Sequence, residues 1–236
     1  MKVLILGGTG LLGNALLKTL SKKFETIGTT RINQVRSKLN YVLIKDAQDK
    51  KNLTDLIMDA NPDVVINCIS LRNFNSSSFK ELESVYVLFP KILSILSIKF
   101  DFRVIHISTD AVFSGKKGNY NENDTPDPID DYGKTKFLGE PDQENCVVIR
   151  TSMIGHSNDG ETGLLDWFLK QKDCTLYKNA IFSGLPVNEL SKIISDHFIV
   201  NSDLEGIFHI SSKPISKYDL LSKVRDLYDL KVSITA

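Results

Sequence analysis

Residues 7 to 13 read Gly-Gly-Thr-Gly-Leu-Leu-Gly, and their flanks restrict the fold more than anything else in the chain. Before them runs Lys2-Val3-Leu4-Ile5-Leu6, apolar throughout like a buried strand; after them, Asn14 to Leu20 carry leucines at helical spacing. A glycine turn between a strand and a helix is a place where backbone amides meet a dinucleotide pyrophosphate. Gly7 permits the tight turn, Gly10 lets backbone approach a phosphate, and Gly13 lets the helix lie close on the strand. A bare glycine pattern also serves as an ordinary tight turn; with strand and helix both in place it points to a nicotinamide dinucleotide.

The first two-thirds of the chain continues as it begins. Glu25 to Thr29 and Tyr41 to Ile44 read as strands, Leu53 to Ala60 as a helix ended by Asn61-Pro62, and Asp63 to Cys68 as a buried parallel strand. Phe79 to Ile98 reads as one long helix, Arg103 to Ile107 as a strand, Tyr132 to Gly139 as a helix and Cys146 to Ile149 as a strand. This alternation predicts an α/β fold, a Rossmann-type doubly wound parallel sheet over residues 1–150. Residues 151–236 are expected to form a smaller α/β substrate-binding region interleaved with the first. In it Leu164 to Leu169 and Leu190 to Val200 look helical, Ile207 to Ile210 strand-like, and Ser216 to Tyr228 helical behind a capping serine, before a last strand-like stretch from Val232.

Composition excludes several classes of function. Lysine plus arginine number 29 and aspartate plus glutamate 29, so no excess charge invites nucleic acid or an anionic membrane. The most apolar segment, Val85 to Ile98, is interrupted by Pro90 and Lys91 and is too short to span a bilayer. Three widely spaced cysteines, Cys68, Cys146 and Cys174, suit a reducing compartment, and Met1 leads straight into the first strand, so a cytoplasmic location is expected. No His, Cys and carboxylate cluster has ligand spacing, and no metal is expected.

The chemistry centres on Tyr132 and Lys136, which share a helix face when four residues apart. On its own that spacing is a common exposed helix face. Here a long loop from Ser108 to Asp131 precedes it, and Ser108-Thr109-Asp110 follow directly on a strand, at the carboxyl edge where ligands bind. A lysine ammonium beside the phenol is expected to bring its pKa, ordinarily about 10, toward neutrality. Thr109 can offer a hydroxyl to the oxygen that Tyr132 protonates. At the end of the second strand Thr29-Thr30-Arg31 stand where a carboxylate would select NAD; Arg31 suits a 2′-phosphate, so NADP (NADPH) is expected, with NAD the alternative.

Together these motifs resemble the extended short-chain dehydrogenase/reductase superfamily, and within it the dTDP-4-dehydrorhamnose reductase-type sugar-nucleotide reductases. The carrying residues are the glycine turn, Ile107-Ser108-Thr109-Asp110-Ala111-Val112-Phe113-Ser114-Gly115, Tyr132-Gly133-Lys134-Thr135-Lys136 and Arg150-Thr151-Ser152, in matching order and spacing. The resemblance implies NADPH-dependent reduction of a nucleotide-linked 4-keto-6-deoxysugar in cell-surface polysaccharide precursor synthesis. Tyr132 would donate the proton, Thr109 polarise the oxygen, and Lys136 hold the nicotinamide ribose while tuning Tyr132. It implies cofactor contacts at Gly7, Thr9, Gly10, Leu11, Leu12, Gly13, Arg31, Asp46, Ala47, Cys68, Ile69, Ser70 and Lys136, and substrate contacts at Thr109, Asp110, Tyr132 and Met153. Arg150 would contact substrate, brace the loop or form an ion pair at a strand end. The partner is a nucleotide sugar, with neither nucleic acid nor membrane, and a homodimer is left open.

The chain departs from that pattern in several places. Ala111 stands where dehydratases carry glutamate, which argues against water elimination, and where the reductases usually carry tyrosine. Met153 replaces a tryptophan, Tyr86 an asparagine, and relatives run on past the point matching Ala236, so part of the substrate region is expected to be missing. A cofactor-binding regulatory subunit without turnover is therefore the second reading, and an epimerase holding NAD a third, which Arg31 fits poorly. His106 is expected to be a satisfied core residue, His156 to lie in a loop that can face substrate, and His197 and His209 to serve packing. Lys116-Lys117 and the acidic run Glu122, Asp124, Asp127, Asp130, Asp131 are expected to be solvated loop.

Overall fold

Among the residues described by the computed structural model (1–31, 39–44, 46, 48–72, 74–158, 160 and 163–236), seven parallel strands form the main sheet. They are β1 (Lys2–Leu6), β2 (Glu25–Thr30), β3 (Tyr41–Leu43), β4 (Val64–Asn67), β5 (Arg103–Thr109), β6 (Cys146–Thr151) and β7 (Gly206–Ile210). Their order across the sheet is β7-β6-β5-β4-β1-β2-β3. The chain builds outward from β1 to β3, then crosses back to lay β4 on the other side of β1. The reversal opens a crevice at the carboxyl ends of β1 and β4, the place where such sheets bind ligands.

The uninterrupted apolar character of β1 follows from burial on both faces, because successive side chains point to opposite sides. Val3 and Ile5 pack with Leu16, Leu17 and Leu20 of helix α1 (Leu11–Leu20). Leu4 and Leu6 face the other way, onto Leu53 and Ile57 of α2 (Lys50–Ala60). Helix α2 begins three residues earlier than its apolar pattern suggests because the Asp49 side chain accepts from the amides of Lys51 and Asn52.

The long helix expected over 79–98 is broken. It runs as α3 (Phe79–Glu83), a π-helical segment Ser84–Leu88, and α4 (Phe89–Phe100). Pro90 has no N–H to give the carbonyl of Tyr86, four residues back, and the helix widens there. The freed backbone meets Gly139, at the end of α5 (Asp131–Leu138): a Cβ on Gly139 would overlap the Tyr86 carbonyl oxygen.

After β6 the chain divides its residues between two places. Helix α6 (Leu164–Leu169) and α8 (Lys217–Leu227) build a separate small core with Leu165, Phe168, Leu176, Leu221, Val224 and Val232. Ser216 caps α8 by accepting from the Asp219 amide. Between them, α7 (Val187–Ile193) returns to the main sheet, where Leu190 joins the α1 core, and β7 pairs along β6. No helix among the described residues is long and apolar enough to cross a membrane.

Candidate active site

The glycine turn sits at the mouth of the crevice. Gly7 adopts φ +79°, its amide donates to Thr29 Oγ1 at 2.9 Å, and its carbonyl accepts from the Gly10 amide at 3.0 Å. A Cβ on Gly13 would overlap the Gly7 carbonyl oxygen, whereas one on Gly10 would meet only that same oxygen, at 3.3 Å. Gly10 is thus small for the sake of space outside the protein's own packing. Helix α1 starts at Gly10 with no side-chain cap, while Asp49, Asp130 and Ser216 cap α2, α5 and α8. Its first amides are left for an acceptor of another kind.

Two supports of this turn escape the sequence pattern. Tyr41 in β3 accepts from Asn14 Nδ2 at 2.8 Å and donates to the Gly8 carbonyl at 3.3 Å. Gly8 lies against Gly28 of β2, where an added Cβ would be 2.8 Å from its Cα. Cys68, Ile69 and Ser70 pass beside the turn, since a Cβ on Gly7 would lie 2.9 Å from the Cys68 carbonyl oxygen. Leu12 is buried in the core and Leu11 half-buried against it. Thr9 offers its carbonyl to Asn158 Nδ2 at 2.8 Å, so a loop from the C-terminal third holds the turn. Arg31 is exposed just past β2, and Asp46, just past β3, accepts from the Gln48 amide; Ala47 lies outside the described residues.

Thr109 ends β5 and reaches the crevice as a hydroxyl that accepts from the Ala111 amide at 3.1 Å. Tyr132 comes to it from the first turn of α5, which Asp130 starts by accepting from the Gly133 amide at 2.7 Å. The Thr109 hydroxyl lies close enough to the phenol to favour its ionised form. Phe74 stacks on the Tyr132 ring at 4.3 Å between centroids, and Tyr86 meets its edge at 5.5 Å. Tyr86 is itself tied, its hydroxyl 2.9 Å from Ser70 Oγ and accepting from the Leu71 amide. Burial drives the Tyr132 pKa above its ordinary value, Tyr86, Asp110 and Asp130 push the same way, and the Thr109 hydroxyl opposes them.

The expected tuning by Lys136 is not what this geometry gives. Lys136 Nζ donates to the Ile107 carbonyl at 2.7 Å and lies 5.2 Å from the centre of the Tyr86 ring. Burial lowers its pKa to about 8, against the opposing fields of Glu140 and Cys68. Burial also pushes the Cys68 thiol up to about 12, which keeps it inert. The site therefore holds a neutral phenol, a proton donor, beside a threonine hydroxyl. Asp110 is raised above the usual carboxylate range by burial, and Lys217 at the start of α8 is among the groups that oppose it, so the C-terminal third faces the crevice too. Met153 is half-buried against the sheet core, in a short strand paired with Leu185 and Pro186.

Of the readings of Arg150, the ion pair is present, and the guanidinium also lies over the Phe113 ring of the loop after β5. Its guanidinium clasps Glu140 through Nε at 3.0 and 3.2 Å and through a terminal nitrogen at 2.7 Å, with the two side chains 3% and 6% exposed. The acidic loop is solvent-exposed at Glu122, Asp127, Asp130 and Asp131, as expected, and it is also ordered by its own hydrogen bonds. Asp127 accepts from the amide and hydroxyl of Ser114, Asp124 pairs with Lys117, and Glu122 accepts from the His209 amide at 2.7 Å. His156 lies between Asp166, 3.1 Å from Nδ1, and the Tyr228 hydroxyl, 2.8 Å from Nε2, and this ties its loop to α6 and α8. His106 meets Asn67 through Nδ1 at 3.1 Å, but among the described residues its buried Nε2 has no partner, contrary to the expectation of a satisfied core histidine.

Known proteins resemble this chain in sequence and in fold. The family described as RmlD substrate binding domain matches residues 1–234. The spore coat polysaccharide biosynthesis protein SpsK of Bacillus subtilis is 27% identical over 99% of this chain and 81% of its own length. The methionine adenosyltransferase 2 subunit beta of Danio rerio is 24% identical over 98% of this chain and 75% of its own. Among solved structures, a hypothetical dTDP-4-dehydrorhamnose reductase from Sulfolobus tokodaii superposes with a TM-score of 0.86 at 27% identity, covering 100% of this chain and 86% of that one.

Proposed function

The chain belongs to the RmlD substrate binding domain family, and from that premise we propose that it uses NADPH to reduce the keto group of a nucleotide-linked 4-keto-6-deoxysugar in polysaccharide precursor synthesis. It is an NAD(P)-dependent oxidoreductase of the dTDP-4-dehydrorhamnose reductase type. The observation that carries the reading is the meeting of Thr109 and Tyr132 at the carboxyl edge of β5, one strand away from the crevice between β1 and β4.

Each residue then has a physical task. The uncapped start of α1 and the space beside Gly10 fit a pyrophosphate, and exposed Arg31 favours the 2′-phosphate of NADP over NAD. The nicotinamide supplies hydride to the carbonyl carbon. Thr109 donates a hydrogen bond to the carbonyl oxygen, and Tyr132, kept protonated by burial, delivers the proton that turns the nascent alkoxide into an alcohol. Lys136, anchored on the Ile107 carbonyl, is assigned to the nicotinamide ribose. Asp110 and Met153 border the sugar, with residues 151–236 as the substrate-binding region. The sequence relationship to SpsK supports a polysaccharide precursor as the product's destination. Three free cysteines suit the cytoplasm.

The test is loss of absorbance at 340 nm with NADPH against a panel of nucleotide-linked 4-keto-6-deoxysugars, with NADH in parallel. Turnover with a member of the panel supports the reductase. Tight NADPH binding with no turnover across the panel supports the second reading, a regulatory subunit, which the likeness to the methionine adenosyltransferase subunit favours.

A further inference from the structure

Glu140 follows Lys136 by one helical turn, just past the end of α5, and three groups converge on it. Arg150 grips both carboxylate oxygens from β6. Ser108 donates to Oε1 from β5, at 2.5 Å, in the position directly before Thr109. Lys136, fully buried on the same helix, feels Glu140 as the foremost of the negative fields that keep it charged. The other groups around Lys136 offer it little: a Cys68 thiol that burial keeps protonated, a His106 ring that burial keeps neutral, and the faces and hydroxyls of Tyr86 and Tyr132. Arg150 reaches further, its guanidinium 5.3 Å from the centre of the Phe113 ring and 3.5 Å from His209 Nε2, so the cluster ties the loop after β5 to β7.

We propose that Glu140 is a positioning residue of the reductase site, whose buried carboxylate, gripped by Arg150, fixes Ser108 behind Thr109 and stations a negative charge one helical turn from the Lys136 ammonium. The proposal rests on the reductase reading for its catalytic consequence, but not for its electrostatic one. Arg150 holds the carboxylate in place from β6, one helical turn beyond Lys136. Burying an ion pair is a poor route to stability, and a task in orienting neighbours gives this pair a reason to be there.

The experiment follows the Lys136 side chain by NMR in the whole chain labelled at lysine Cε and Nζ, its resonance assigned by its absence in Lys136→Arg. Glu140→Gln keeps the shape and removes the charge. The midpoint for Lys136, about 8 in the parent protein, is expected to fall by about one pH unit. The high-pH limb of kcat/KM should move down with it, while NADPH affinity at pH 6.5 changes less than about threefold. Glu140→Asp should return the midpoint toward the parent value. Should Glu140→Gln fail to fold, Arg150→Met with Glu140→Gln removes both buried charges together and reads the same midpoint. A midpoint unmoved in a folded variant overturns the proposal. A shifted midpoint in a protein that reduces no sugar upholds the electrostatic role and counts against the reductase instead.

Discussion

At the scale of single residues the site is governed by desolvation. Tyr132 is a better proton donor than base because burial outweighs the Thr109 hydroxyl that favours its ionised form. Tyr132→Phe keeps the ring between Phe74 and Tyr86 and removes only the proton; reduction should fall by at least about a hundredfold with NADPH affinity changed less than about threefold, read by turnover and by titration of cofactor fluorescence. Lys136 carries the pH dependence. Its folded pKa, about 8, lies below its ordinary 10.5, so the charged form that the site uses is lost as pH rises through 8, and kcat/KM should drop there. The same shift has a cost: the unfolded chain binds this proton more tightly, so its burial penalty is full below pH 8 and is relieved as pH climbs toward 10.5. Lys136→Met should therefore raise Tm at pH 6.5 while depressing turnover, and the gain should vanish near pH 10.5, as calorimetry across that range would read.

At the scale of elements, the decisive contact is that of α5 with the π-helical segment before α4. Gly139 lies on the Tyr86 backbone, with no room for a methyl group. Gly139→Ala should cost about 3 kcal/mol or more in denaturant unfolding and pull Tyr86 off the Tyr132 ring, lowering turnover as well. Asp130→Ala, by loss of a cap, should cost only about 1 kcal/mol. The sequence foretold much at this scale, because strand, glycine turn and helix are local patterns. The β1–α1 unit, the placement of Thr109 at the end of β5, and the Ser216 cap are all readable from a few neighbouring residues. What it hid depends on distant partners. The widened helix needs Pro90 to be read as a missing donor and Gly139 as its neighbour. Lys136 shares a face with Tyr132 by spacing, yet finds a stronger acceptor in Ile107 on β5. Glu140 carries no local signal, because the Arg150 and Ser108 side chains that meet it come from two separate strands. The acidic loop is solvated as its composition suggests, but the partners that order its carboxylates, Ser114, Lys117 and the His209 amide, are not readable from the run itself.

The whole molecule is less divisible than its sequence suggests. Residues after 150 supply both β7 and α7, which complete the main sheet and cover α1. A fragment of residues 1–150 would lose Leu190, Ile194 and Phe198 from the α1 core; it should show no cooperative unfolding, where the entire chain gives a sharp transition by circular dichroism. The sheet order carries a further consequence for how the protein is made. Synthesis delivers β1 first and adds strands on both sides of it, but β6 emerges with one hydrogen-bonding edge open, and the strand that closes it arrives only after residue 205. Through that interval the nascent chain on the ribosome presents Cys146–Thr151, buried throughout in the finished fold, as an adhesive border. Slow translation of the stretch between β6 and β7 lengthens the exposure, so the yield of folded protein should depend on the pace of translation through those codons as well as on the stability of the final fold.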